Sequence, residues 1–281
     1  MTDQKLARYG VHEQGSASGH LGQAADEIRL VGYSVVPSGC SKEDLAGLST
    51  AFDAAHQRML ERHGGKEKLA RIAEDNAIRA LLSYESRFLA LASNSAALAV
   101  ARDLLGGYIT LNQQNGVINP PAGEYYNQAA WHRDLPYQHF VSTRPIAVSA
   151  LFCLDDFTAE NGATWVVPAS HKIEHFPSDE AVEKLRVQVE APAGSFIMFD
   201  SMLFHSGGAN RTARTRRGVN HVYSIPLLRQ QIDLPALLGP GYSTDPAICR
   251  FLGYDVQTPQ GISDFYETRY ARLGPPNTAG R

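Results

Sequence analysis

His132 and Asp134 stand two residues apart in AAWHRDLPYQHF, residues 129–140. His205 follows much later, in APAGSFIMFDSMLFHSGGANRT, and Arg216 opens the stretch RRGVNHVYSIPL. Two imidazoles and one carboxylate are the donor set that holds non-heme Fe(II) on one face of an octahedron, leaving the other face for a cosubstrate and oxygen. H-x-D suits this, because residues two apart on an extended strand point the same way. His205 ends a short apolar segment just before Gly-Gly, where backbone can approach closely. A guanidinium deep in the same core would hold the far carboxylate of 2-oxoglutarate through two parallel hydrogen bonds. Strand alternation lets one of Arg216 and Arg217 point inward, and spacing favours Arg216.

The other histidines suit a metal less well. His12 and His20 lie in a polar tail, and His56 and His63 lie on or at the end of a helix. His139 falls past the strand end. His171 and His175 are four apart but follow the turn PAS, which reads as surface. The same stretch also spells HRDL, the opening of a protein-kinase catalytic loop. That loop needs Asn five residues beyond the Asp, and position 139 is His. With no G-x-G-x-x-G, V-A-I-K or D-F-G elsewhere, the kinase reading fails.

The elements that must position these residues fall into two halves. LGQAADEIRLVGYSVVP reads as a short helix, a break at Gly32 and a β-branched strand. Ser41 with Asp44 resembles a capping box. Leu45, Leu48, Phe52, Ala55 and Met59 then mark one helical face that Gly64-Gly65 ends. Further helical stretches are expected near 66–93 and 95–105. From about 108 the chain turns to short β-branched and aromatic runs separated by Asn, Asp, Gly and Pro: YITLNQQ, IAVSALFCL, ATWVVP, RVQVEA, SFIMF and GVNHVYSIPL. Many short strands with turns between them indicate a sandwich or barrel. The expected organisation is one domain over 1–281. It comprises an arm over 1–20, a mostly helical support over 21–107, a β core over 108–226 and a C-terminal lid or helical segment over 227–281.

Net charge is −3 over 281 residues, so no global basic field draws the protein to nucleic acid or an anionic membrane. No apolar run approaches the roughly 20 residues of a membrane span. The N-terminal stretch lacks a signal-peptide core. Three scattered cysteines form no disulfide framework. A cytoplasmic protein with a small-molecule substrate is expected, without nucleic acid or membrane partners, and a homodimer is left open.

Taken together, GYSVVP, NPPAGE before W-H-R-D, ENGATWVVPASHK, the PAG turn, HSGGANRT and the Arg-Arg strand resemble the phytanoyl-CoA dioxygenase family of Fe(II)/2-oxoglutarate oxygenases. The resemblance spans about residues 25–230. It implies a double-stranded β-helix (jelly-roll, cupin-like) core, mainly β, buttressed by N-terminal helices. It implies His132, Asp134 and His205 as iron ligands, Arg216 on the cosubstrate's distal carboxylate and a hydroxyl from Thr164 beside it. Fe(II), 2-oxoglutarate and oxygen are the expected cofactors and cosubstrates. The expected reaction oxidises an unactivated C–H bond with release of succinate and carbon dioxide. Hydroxylation is favoured, and desaturation or cyclisation stays open. Where relatives often carry Gln two residues before the first His, this chain has Ala130, and Asn119 replaces a Lys before Pro-Pro.

Among polar residues in the expected strands, Gln114 is a further cosubstrate candidate and Asn220, which shares a face with Arg216, a substrate candidate. Tyr126 and Trp131 flank the site as further substrate candidates. Two other readings compete: a catalytically silent jelly-roll binding protein, and an oxygenase acting on a protein side chain.

Overall fold

The computed structural model describes Tyr9 and residues 18–273. The expected arm over 1–20 lies largely outside the described residues, and its last two positions already belong to a helix. The chain divides into two compact units, residues 1–232 and 233–281.

In the first unit, α1 (Gly19–Val31) ends on Gly32, whose φ is 96° and whose N–H reaches Ile28 O. Glycine is required here twice over. The left-handed backbone disfavours any side chain. A Cβ would also sit 2.5 Å from Leu203 Cδ1 and 2.8 Å from His171 Nδ1. β1 (Tyr33–Pro37) leads to α2 (Lys42–His63). The Ser41 hydroxyl accepts from Asp44 N at 3.0 Å and donates to Asp44 Oδ2 at 2.6 Å, so the cap forms as its sequence suggests. Leu48, Phe52, Ala55 and Met59 are buried on the inner face of α2.

The stretch 66–93 is not a single helix. It is α3 (Lys66–Ala70), β2 (Ala77–Arg79), a 3-10 turn at Leu81–Ser83 and α4 (Arg87–Ala92). Ala77–Arg79 pairs with Val117, Gly116 and Asn115 at the sheet edge, so strand pairing overrides local helix propensity. α5 (Ser95–Leu105) follows, capped by the Asn94 side chain.

The β core consists of β3 (Thr110–Asn119), β4 (Ala147–Cys153), β5 (Thr164–Val166), β6 (Val187–Val189), β7 (Ser195–Asp200), β8 (His205–Ser206) and β9 (Arg216–Ser224), with α6 (Asp179–Leu185) before β6. Among the described residues these strands make two antiparallel sheets, in the orders β1-β7-β4-β9-β3-β2 and β6-β5-β8. Leu151, Ile197 and Phe199 from the large sheet share one core with Val166 and Val189 from the small one. The outer face of the large sheet is covered by helices: Gly116 lies against Phe52, and the Tyr223 hydroxyl donates to Ala92 O at 2.9 Å. Phe52 and Phe88 are fully buried in that layer, each contributing about 1.5–3 kcal/mol of transfer free energy. This is the double-stranded β-helix with helical buttress that the sequence resemblance implies.

The second unit carries α7 (Leu234–Leu238), α8 (Pro246–Leu252) and α9 (Ile262–Leu273). Asp233 and Asp245 cap the first two through their side chains, each followed by proline in the first turn. No helix among the described residues is long and apolar enough to cross a membrane.

Candidate active site

His132 and His205 meet as an isolated antiparallel bridge. His132 N donates to His205 O at 2.9 Å, and His205 N donates to His132 O at 3.0 Å. The sequence placed His132 and Asp134 on a strand. They instead lie on loop backbone, tied to the core by this bridge and by Asp134 N donating to Ser201 O at 2.9 Å. The two rings lie 4.4 Å apart between centroids.

Each imidazole is oriented in the same way. His132 Nδ1 lies 2.8 Å from Ala130 O, and His205 Nδ1 lies 2.9 Å from Leu203 O. A carbonyl can only accept, so Nδ1 carries the proton and Nε2 presents its lone pair. Both Nε2 atoms face Asp134 Oδ1, at 3.6 Å and 3.5 Å. One ligand atom from each of His132, Asp134 and His205 lies within 4.8 Å of the others. Burial works against the Asp134 charge, but His205 and His132 outweigh it and hold the carboxyl well below its usual range. Burial likewise works against a charged His132, yet the Asp134 carboxylate nearby and the Ala130 carbonyl raise its pKa overall.

The triad lines a cavity of about 40 Å³. A single water needs roughly 10–15 Å³ by the same measure, so there is room for an ion-sized cluster. Arg216, Thr164, Tyr126 and Asn220 share the lining, with Val117, Leu151 and Phe199 as its apolar part. Arg216 is 2 % exposed, its guanidinium carbon lies 3.9 Å from the centre of the Phe157 ring, and its Nε has no hydrogen-bond partner. The Tyr126 hydroxyl is its polar neighbour. Arg217 turns outward to Asp155 and Asp53, at 2.7 Å and 2.8 Å, as alternation requires. Gly207 lets the loop after His205 pass close by, since a Cβ there would strike the Tyr126 ring.

Two expected site residues lie elsewhere. Gln114 does not face the cavity: its Oε1 accepts from Leu82 N at 2.8 Å and its Nε2 donates to Phe88 O at 2.6 Å, so it ties β3 to the helical layer. Trp131 stacks on Phe204, 5.3 Å between centroids, in a separate cluster with Val167 and Val182, away from the cavity lining. His171, read as a surface residue, is 1 % exposed beneath Gly32. Burial, then Lys172, lowers its pKa to about 4, so it is neutral at pH 7.

Sequence reasoning missed Ser149, Ser201 and Gln128. Ser149 Oγ donates to Asp134 Oδ2 at 2.5 Å and lies 2.8 Å from Ser201 Oγ. Both serines are lone hydroxyls next to apolar runs, a signal that was available. Gln128 enters the lining from the 3-10 turn Asn127–Ala129.

Arg133, between the two ligand candidates, points away from the triad and is 2 % exposed. Its guanidinium donates to the carbonyls of Gln138, Glu174, Ser170 and Ile173 and lies over the Phe176 ring. It thus fastens the loop carrying His132 and Asp134 to residues 170–174. Arg133→Met strips the buried Ser170 carbonyl and three part-buried ones of their donor, at roughly 1–3 kcal/mol for a buried carbonyl left unsatisfied and less for those that water can reach. Denaturant unfolding is expected to show a loss of about 3 kcal/mol or more. A loss below about 1 kcal/mol would mean that water replaces the guanidinium.

Comparisons with known proteins agree with this architecture. An uncharacterised protein of Mycobacterium tuberculosis is 30% identical over 259 residues, covering 90% of this chain and 94% of that protein. The ectoine dioxygenase of Halomonas elongata is 28% identical over 240 residues, covering 74% of this chain and 71% of that enzyme. Among solved structures, EctD from S. alaskensis with 2-oxoglutarate and 5-hydroxyectoine matches in fold with a TM-score of 0.59, at 23% identity and over 76% of this chain and 80% of that one. Residues 28–218 match the phytanoyl-CoA dioxygenase family, and the chain belongs to it.

Proposed function

We propose that the protein is an Fe(II)- and 2-oxoglutarate-dependent dioxygenase that hydroxylates an unactivated C–H bond of a small molecule. The observation that carries this reading is Arg216. It is a buried cation with no carboxylate partner among the described residues, in the cavity that holds two imidazoles and a carboxylate. A buried charge is costly without a counter-ion, so the site calls for an anion.

The donor set fits Fe(II): His132 Nε2, His205 Nε2 and Asp134 Oδ1 would hold it. Arg216, with Thr164, would hold the distal carboxylate of 2-oxoglutarate. Bound there, iron and 2-oxoglutarate supply oxygen activation, with decarboxylation to succinate and carbon dioxide as oxygen enters the substrate. The chain's own residues place and shield that chemistry. Ala130 O and Leu203 O fix the imidazole tautomers, so that the lone pairs face inward. Val117, Leu151 and Phe199 form the apolar part of the lining, and water excluded by them strengthens the electrostatic contacts inside. The small-molecule class is supported by the ectoine dioxygenase relative.

The test has two readouts. Anaerobic addition of Fe(II) and 2-oxoglutarate should produce a visible charge-transfer band. In air, a screen across amino acids, alkaloids, terpenoids, sugars and acyl thioesters should give substrate-dependent succinate. Absence of the band with fully metallated protein would sink the reading.

A further inference from the structure

The two oxygens of Asp134 are treated very differently. Oδ1 faces both histidine Nε2 atoms. Oδ2 receives two donors: Ser149 Oγ–H at 2.5 Å and Asn220 Nδ2–H at 3.2 Å. We propose that Ser149 and Asn220 clamp the outer oxygen of Asp134, so that the carboxylate offers a metal ion one oxygen and keeps a coordination position open. The inference rests on the metal-site reading above and extends it to residues that touch no metal.

Three observations converge on the clamp. Ser149 is fully buried on β4, and its one hydroxyl proton goes to Asp134. Ser201 Oγ, 2.8 Å away, must then donate to Ser149 in turn, completing a chain of hydroxyls that ends on the carboxylate. Asn220 comes from β9, which pairs with β4, so the two donors sit on adjacent central strands. Among the described residues, the Asn220 side chain makes no hydrogen bond but the one to Asp134, and its Oδ1 is buried without a partner.

The chemical consequence follows from counting positions. A carboxylate can bind a metal through one oxygen or through both. An octahedral ion with three protein donor atoms has three positions left, two for a chelating keto acid and one for a further ligand. A second Asp134 oxygen would occupy one of them. Swinging Oδ2 onto the metal would break both clamp bonds and leave the buried Ser149 hydroxyl and the half-buried Asn220 amide without their acceptor, at roughly 1–3 kcal/mol for a buried donor.

The experiment uses the full chain loaded with Mn(II) alone. Coordinated waters are counted by pulsed EPR after exchange into D₂O, and affinity is read by titration. Wild type and Ser149→Thr, which keeps the hydroxyl, should show three waters. The Ser149→Ala/Asn220→Ala protein should show one water fewer and bind Mn(II) about 10- to 100-fold more weakly. Asn220→Ala alone, on the cavity wall, provides the reading if the double variant fails to fold, and is expected to shift both quantities in the same direction. Unchanged water count in these variants, or two waters in wild type, overturns the clamp. A wild-type protein that takes up no Mn(II) overturns the metal site itself, and the clamp with it.

Discussion

Asp134→Asn is expected to leave a folded protein that no longer makes succinate from 2-oxoglutarate. The exchange is nearly isosteric, so packing in the buried site is preserved. Its effect comes from the two donors already aimed at Oδ2, from Ser149 and Asn220. They force the new amide to place its oxygen there. The NH₂ group then takes the Oδ1 position, facing His132 and His205. An amide nitrogen of that kind has no lone pair to give a metal. The negative charge that balances a divalent ion is lost as well. Removing an outer partner of a metal ligand typically costs about 10- to 100-fold in affinity or activity. Loss of the ligand atom itself should exceed that in both Fe(II) affinity and turnover. Metal content and succinate formation, measured on the same preparation, check the result. A variant within tenfold of wild type would show that Asp134 is not a ligand.

The second large effect is expected at Arg216. Arg216→Leu should leave Fe(II) binding intact and weaken 2-oxoglutarate binding. Truncating one partner of a buried, hydrogen-bonded charge pair costs about 2–5 kcal/mol, or roughly 30- to 5000-fold in Kd. The apolar replacement also relieves the free protein of a buried cation beside Phe157. The leucine variant should therefore be at least as stable as wild type when no cosubstrate is present. Arg216→Lys is not expected to restore affinity, because an ammonium lacks the planar fork that meets both carboxylate oxygens. Calorimetric titration with 2-oxoglutarate, with thermal unfolding alongside, separates the two effects. Equal affinity in wild type and the leucine variant would remove Arg216 from the site.

The triad and Arg216 were legible in the sequence because each carries its signal locally. H-x-D is a two-residue spacing, His205 sits against Gly-Gly, and Arg216 begins a strand. Gln114 was misplaced for a reason that strand periodicity cannot overcome. β3 is buried on both faces, so no alternation of polarity marks which face meets the cavity. Val117 lines the cavity, whereas Gly116 and Gln114 face the helical layer, and an error of one residue inverts the assignment. Residues 66–93 misled because Ala77–Arg79 takes its conformation from partners on β3 that are distant in sequence. His171 was underrated, and nothing drew notice to Arg133, because charged or polar residues near turns are mostly exposed. Their burial depends on carbonyls and glycine contacts supplied by other segments.

The bridge that joins His132 to His205 has a consequence for how the protein matures. The two histidines come from distant parts of the chain and share reciprocal backbone hydrogen bonds. The small sheet carrying His205 and the loop carrying His132 must both be in place before a complete donor set exists. A nascent or partly unfolded chain presents at most an isolated H-x-D pair, a weak chelator in water. A complete set of donors for iron thereby waits until these two segments have come together. Iron, once taken up, in turn favours the closed arrangement by mass action. Metal occupancy would then report that these two segments have closed on one another.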